Sequence, residues 1–267
     1  DLPGRQRLIL GQVAASPAPM ERSDRIDFFG NRVTEMVFRQ PAATAAFTLR
    51  ARVERMADVA PLDFSPPLQA LAEEIASVQS VAPEAPHHFL GPSPRVALEP
   101  EITAFAREAM AGAATTAAAV QAFGEALHAE MTFDSTATTV HTPPAEAFAL
   151  RHGVCQDFAQ IMIAGLRGMG VPAGYVSGFL RTLPPKGQPR LEGADAMHAW
   201  VRAWCGTKGG WIDYDPTNAM HAGEGHVTVA HGRDYGDALP LQGVLRTSGG
   251  QTSGQSVDTR PVGPRAG

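Results

Sequence analysis

The chain has 267 residues and a net charge of −5, with 44% hydrophobic and 18% charged residues. That length carries a well-buried core, in one large domain or two modest ones, and the slightly acidic balance argues against nucleic acid or an anionic membrane as the main partner, because both demand a basic surface. No apolar run reaches the roughly 18 residues of a transmembrane helix.

In chain order, residues 5–13 ("RQRLILGQV"), 25–40 ("RIDFFGNRVTEMVFRQ") and 44–56 ("TAAFTLRARVERM") alternate as short strands do, with "SPAP", "FGN" and "QPA" as turns. They predict a β-rich N-terminal domain over residues 1–60. Proline punctuates residues 61–100, which read as a linker with a short helical patch near Leu68 to Ile75. Residues 101–246 form the second domain. It opens on helical segments at 100–110 and 117–131, then a short helix at 142–150 with Thr142 as N-cap and Pro143 as its first residue.

Next comes "GVCQDFAQIMIAGLRGMG", where Phe158, Ile161, Met162, Gly165 and Leu166 mark one buried stripe of a helix. "GYVSGFL" (174–180), "HAWVRAW" (198–204) and "GWIDYDP" (210–216) read as strands joined by turns or loops. Helices followed by an antiparallel sheet make the fold α+β rather than doubly wound. The Gly/Ser-rich tail, 247–267, holds at most an edge strand near Val257 before a frayed end.

Cys155 and Cys205 are the two cysteines, in neither a CxxC pair nor a zinc spacing, so a reduced, cytoplasmic protein without disulfides is expected. The chain opens on Asp1 rather than Met, which leaves room for a removed export signal. Cys155 falls in the first turn of its helix, where unpaired N–H groups and the helix dipole favour a thiolate and could bind an oxyanion. A small buried thiol is an equal reading from position alone. A reactive thiol needs a base and a group to orient it. His198 opens the next strand but one, on the face shared by Trp200, Arg202 and Trp204, while Cys205 faces the other way and reads as structural. Asp213 and Asp215 lie together on one face of the following strand, and parity does not choose between them.

These blocks, "GVCQDFAQIMIAGLRGMGVPAGYVSGFL", "DAMHAWVRAW", "GWIDYDPTNA" and "VAHGRDYGDALPLQGV", with "DFFGN" and "MTFDSTATTV" upstream, resemble the bacterial transglutaminase-like family. The resemblance implies a papain-like cysteine-enzyme core behind an N-terminal β domain. It also implies Cys155 as nucleophile, His198 as general base and acid, and Asp215 as the residue orienting His198. The expected chemistry is acyl transfer through a thioester on a glutamine or peptide substrate, by a transferase or by a cysteine protease or amidase. A non-catalytic peptide-binding descendant is the alternative from another class. Gln156, Asp157 and Trp200 are candidate substrate contacts. Gly174 departs from the family, which usually carries arginine there.

Neither a cofactor nor a metal is expected. The histidines of "HAGEGH", His221 and His226, read as a solvent-facing loop, because two histidines around Glu224 rarely close a metal site. His87 and His88 read as exposed, and His152 as a surface residue close enough to tune the thiol. The family-like "RDY" at 233–235 has no evident physical job.

Overall fold

A computed structural model describes residues 2, 4–56, 62–181 and 197–263. The first two residues of the family-like block "DAMHAWVRAW", 195–196, and the last residues of the expected frayed end, 264–267, lie outside the described residues. The chain divides into two compact units, Asp1–Ala60 and Pro61–Gly267.

In the first unit, β1 (Gln6–Ser16) and β4 (Ala46–Arg55) form one antiparallel pair, with a bulge between Leu8 and Leu10. β2 (Glu21–Ile26) and β3 (Arg32–Val37) form a second. The turn of that hairpin is built by its sequence: the Asp27 carboxylate accepts from the Asn31 backbone N–H at 2.8 Å and from Asn31 Nδ2 at 2.9 Å, and Gly30 takes a positive φ of 85°.

The second unit begins within the proline-rich stretch. Residues 61–100 are not a bare linker: α1 (Leu71–Ser77), the short turn at Pro86–Phe89 and the Ser93–Val96 bridge place Leu71, Phe89 and Val96 in the buried interior. Prolines set the path of this segment, and its apolar residues anchor it. Helices α2 (Pro100–Ala109) and α3 (Thr116–Glu130) follow. The Thr115 hydroxyl caps α3 by accepting from Ala118 N at 3.2 Å. Strand β5 (Thr132–Phe133) pairs in parallel with β6 (His152–Gly153), on either side of α4 (Pro144–Leu150). The cap of α4 is Pro143, one residue later than the sequence suggested; the Thr142 hydroxyl turns back to accept from Thr139 N at 3.0 Å.

Helix α5 (Cys155–Gly168) is the centre of the unit. Every residue from Gln156 to Arg167 is buried, not one stripe, because α2, α3 and α4 pack around the helix while β7 and β8 cover the remainder. The helix meets the sheet β7 (Ala173–Leu180), β8 (Met197–Trp204), β9 (Trp211–Asp215), β10 (Met220–His221) and β11 (His226–Gly232). All five strands are antiparallel, in the order β10-β9-β8-β7-β11. The fold of this unit is thus α+β, with a central helix on an antiparallel sheet. His226, the last residue of "HAGEGH", begins β11 rather than lying in a solvent loop, and Val257 makes a lone bridge, not an edge strand.

Two details of the sequence find their cause here. At Gly174 a Cβ would sit 2.7 Å from the Gly232 carbonyl oxygen and 2.9 Å from the Phe89 ring, so an arginine does not fit this backbone without a shift. The "RDY" block is a fastening: Asp234 accepts from Arg95 N at 2.8 Å and Gly236 N at 2.7 Å, Arg233 pairs with Asp237 at 2.8 Å, and Tyr235 stacks edge-on to Tyr175. The buried Arg167 of α5 joins it, donating to the carbonyls of Ala173 and Arg233. Among the described residues no helix is long and apolar enough to cross a membrane.

Candidate active site

Cys155 is the first residue of α5, half-buried, at the point where the chain leaves β6. Val154, the N-cap, has no side-chain acceptor, and Asp157 compensates: its Oδ2 accepts from Val154 N at 2.8 Å. The same oxygen accepts from the Thr138 hydroxyl at 2.6 Å, tying the 134–143 loop to the helix start. Asp157 is 1% exposed, and burial raises its pKa against the pull of those two hydrogen bonds. Gln156 is also buried and donates from Nε2 to the Val140 carbonyl at 3.3 Å.

His198 is the second residue of β8, its side chain 10% exposed. Its Nε2 donates to Asp215 Oδ2 at 2.7 Å, and the Cys155 thiol lies close enough to the ring to favour its protonated form. With Nε2 committed to the carboxylate, Nδ1 is the nitrogen left for the sulfur. The structure therefore brings Cys155, His198 and Asp215 together from α5, β8 and the end of β9. Of the two acids, Asp215 meets the imidazole; Asp213 sits opposite Arg202 in the β8–β9 register.

Asp215 is fully buried. Its Oδ1 accepts from Thr217 N at 3.0 Å and Asn218 N at 3.3 Å. Its Oδ2 accepts from His198, from Asn218 Nδ2 at 2.7 Å, and from His226 Nε2 at 3.1 Å. Burial opposes the carboxylate's charge, but the hydrogen bonds from His198, His226 and Asn218 outweigh it and hold the acid well below the usual carboxylate range. Burial likewise opposes a charged His198, yet the hydrogen bonds and charges of Asp215 and Cys155 prevail and raise its pKa from 6.5 to about 9. Cys205 is a contrast: burial first, and then the charge of Asp63, push its thiol up to about 12.

His226 is the member that sequence reasoning missed. It is 2% exposed, packs edge-on to Trp200 at 5.2 Å, and lies on the carboxylate rather than in solvent. Its signal was the period-two "HVTV" directly after the glycines. His198, Asp215 and His226 place donor atoms within 4.8 Å of one another, a grouping that could suggest a metal. The amide N–H of Asn218 already occupies the same carboxylate oxygen, and the spacings of 2.7 and 3.1 Å are those of hydrogen bonds, so the group reads as a proton-linked cluster.

None of the three candidate substrate contacts is open to a ligand. Gln156 and Asp157 turn inward to secure the 134–143 loop, and Trp200, 0% exposed, lies beneath His198 at 6.2 Å. Trp211 is spent on the scaffold, its Nε1 donating to the Glu84 carbonyl at 3.0 Å. His152 is exposed and bonds the Leu150 carbonyl; His87 is exposed and His88 half-buried. His221 and Glu224 are exposed, apart from His226.

Residues 103–216 match the transglutaminase-like superfamily, and residues 2–54 match the bacterial transglutaminase-like N-terminal region. The chain belongs to the transglutaminase-like superfamily. An uncharacterized protein of Mycobacterium tuberculosis is 33% identical over 255 residues, 91% of this chain and 78% of the relative. One of Mycobacterium leprae is 32% identical over 251 residues, 92% of this chain and 83% of the relative. A protein-glutamine gamma-glutamyltransferase of Pseudomonas aeruginosa is 38% identical over 71 residues, 26% of this chain and 10% of that protein. Among solved structures, a candidate cysteine protease of Cytophaga hutchinsonii superposes with a TM-score of 0.63 at 22% identity, over 88% of this chain and 74% of that one. That likeness establishes a shared fold.

Proposed function

We propose that this protein is a cysteine-dependent acyl-transfer enzyme acting through a thioester on Cys155, with a protein or peptide as its substrate. The observation that supports the reading is a single imidazole, His198, held on one side by the buried Asp215 carboxylate and close on the other to a thiol at a helix start. In this reading the proton of the thiol rests on His198 Nδ1, and the sulfur attacks a carboxamide or peptide carbonyl. The backbone N–H of Cys155, at the start of α5 where no preceding turn uses it, receives the charge that develops on oxygen. His198 gives its proton to the departing ammonia or amine as the C–N bond breaks, leaving the thioester. It then takes a proton from an incoming amine or from water, which releases a new amide or an acid and restores the thiol–imidazole pair. Throughout, Asp215 keeps Nε2 protonated and turned toward itself.

Transfer to an amine from a glutamine carboxamide is the favoured form, since the stretch of local identity to a glutamine gamma-glutamyltransferase points that way. Incubation with a glutamine-containing peptide and a fluorescent amine tests it. Incorporated label that disappears in Cys155→Ala supports transfer. Ammonia or new termini without label place the enzyme among the hydrolases. No turnover of any acyl donor, with the peptide still bound by Cys155→Ala, refutes catalysis.

A further inference from the structure

The reading above uses one histidine, but Asp215 binds two. We propose that His226 is a positioning residue of this site: the imidazole that holds the Asp215 carboxylate in the orientation His198 requires. The inference rests on the proposed roles of Cys155, His198 and Asp215.

Both ring nitrogens of His226 are engaged. Nδ1 accepts from the Gly223 backbone N–H at 3.1 Å, so the neutral ring carries its proton on Nε2, which faces Asp215 Oδ2 at 3.1 Å. A backbone amide thereby selects the tautomer that donates to the acid. His226 heads β11, which lies at the sheet edge, and Asp215 ends β9; two strands, β8 and β7, separate them in the sheet order. The bond thus spans the sheet, over Trp200, whose ring meets His226 at 5.2 Å and His198 at 6.2 Å.

The oxygen concerned decides the role. A histidine serving only to fill the core would be satisfied by any acceptor, yet His226 donates to Oδ2, the oxygen that receives His198. The backbone N–H groups of Thr217 and Asn218 hold Oδ1, while Asn218 Nδ2 and His226 hold Oδ2 from the sides that His198 does not occupy. Loss of the His226 donor lets the carboxylate turn about its Cβ–Cγ bond, and His198 then loses its anchor. Asn218 is exposed and so is the weaker of the two lateral donors, whereas His226 is shut in by the sheet.

The test uses iodoacetamide as probe, with intact-protein mass spectrometry following alkylation of Cys155 near neutral pH and the buried Cys205 as internal reference. Wild type, His198→Ala, His226→Gln and His226→Phe are compared. Glutamine can present Nε2 to Asp215 as histidine does; phenylalanine keeps the volume and the contact with Trp200 but has no donor. His226→Phe is expected to slow alkylation of Cys155 by about tenfold or more, the scale of one hydrogen bond to a charged group, and His226→Gln to recover most of that loss. Equal rates in wild type and His226→Phe, or equal losses in the two His226 variants, overturn the proposal. Equal rates in wild type and His198→Ala instead overturn the underlying reading of the site. Should His226→Phe fail to fold, nitrogen NMR of the wild-type histidines decides: a His226 protonated at Nε2 alone supports the assignment, and protonation at Nδ1 overturns it.

Discussion

Asp215→Asn removes one charge from the site at almost constant volume, and its main consequence should fall on His198. The rise of that ring's pKa from 6.5 to about 9 corresponds to roughly 3 kcal/mol in favour of the imidazolium, at about 1.4 kcal/mol per pH unit. Burial acts against the charge, and the carboxylate is a principal source of the surplus. With asparagine in place, the midpoint of His198 is expected to fall by two pH units or more, about a hundredfold in proton affinity. Histidine resonances followed through a pH titration of both proteins measure this directly. A second readout is the stability difference between wild type and Asp215→Asn by urea denaturation. Because the folded ring binds its proton more tightly than the unfolded one, its contribution is complete below pH 6.5 and is lost as the pH rises through about 9, so the difference should narrow across that window. A His198 midpoint that stays near 9 in Asp215→Asn would refute the reasoning, since the charge would then be held by something other than the carboxylate.

Three further outcomes are expected. Gly178→Ala places a Cβ 2.1 Å from the Val227 carbonyl oxygen and 2.6 Å from the Trp200 ring, so it should cost about 2 kcal/mol or more in thermal denaturation and weaken alkylation of Cys155 by moving the floor under His198. Arg167→Leu leaves the carbonyls of Ala173 and Arg233 without their donor and should lower stability by about 3 kcal/mol in urea, with no rescue from the added apolar surface. Limiting iodoacetamide below pH 9 should give a single adduct, on Cys155, because the Cys205 thiol is raised to about 12; a second adduct in the native protein would contradict its burial.

The elements that carry Cys155, His198 and Asp215 were legible because each has a local cause: glycine before a helix, period-two alternation in β8, and an aspartate stopped by proline in β9. What the pattern left open was decided by tertiary packing. Parity put Asp213 and Asp215 on one face, and only the β8–β9 register separates them. Helix α5 shows a stripe in sequence but is covered all round, since the small residues among its members let neighbours approach from every side. His226 was hidden by the glycines before it, which promised a loop where a strand begins. Gln156, Asp157 and Trp200 were reasonable as neighbours of reactive groups, but adjacency in sequence does not say which way a side chain faces.

The side chains of Cys155, His198 and Asp215 sit on three separate elements, far apart in the chain. A loosened state that keeps its helices and strands but lets α5 slide on the sheet would pull sulfur away from imidazole while far-ultraviolet spectra hardly changed. Reactivity at residue 155 is therefore a ruler of side-chain interlocking, and should fade ahead of helicity on gentle heating.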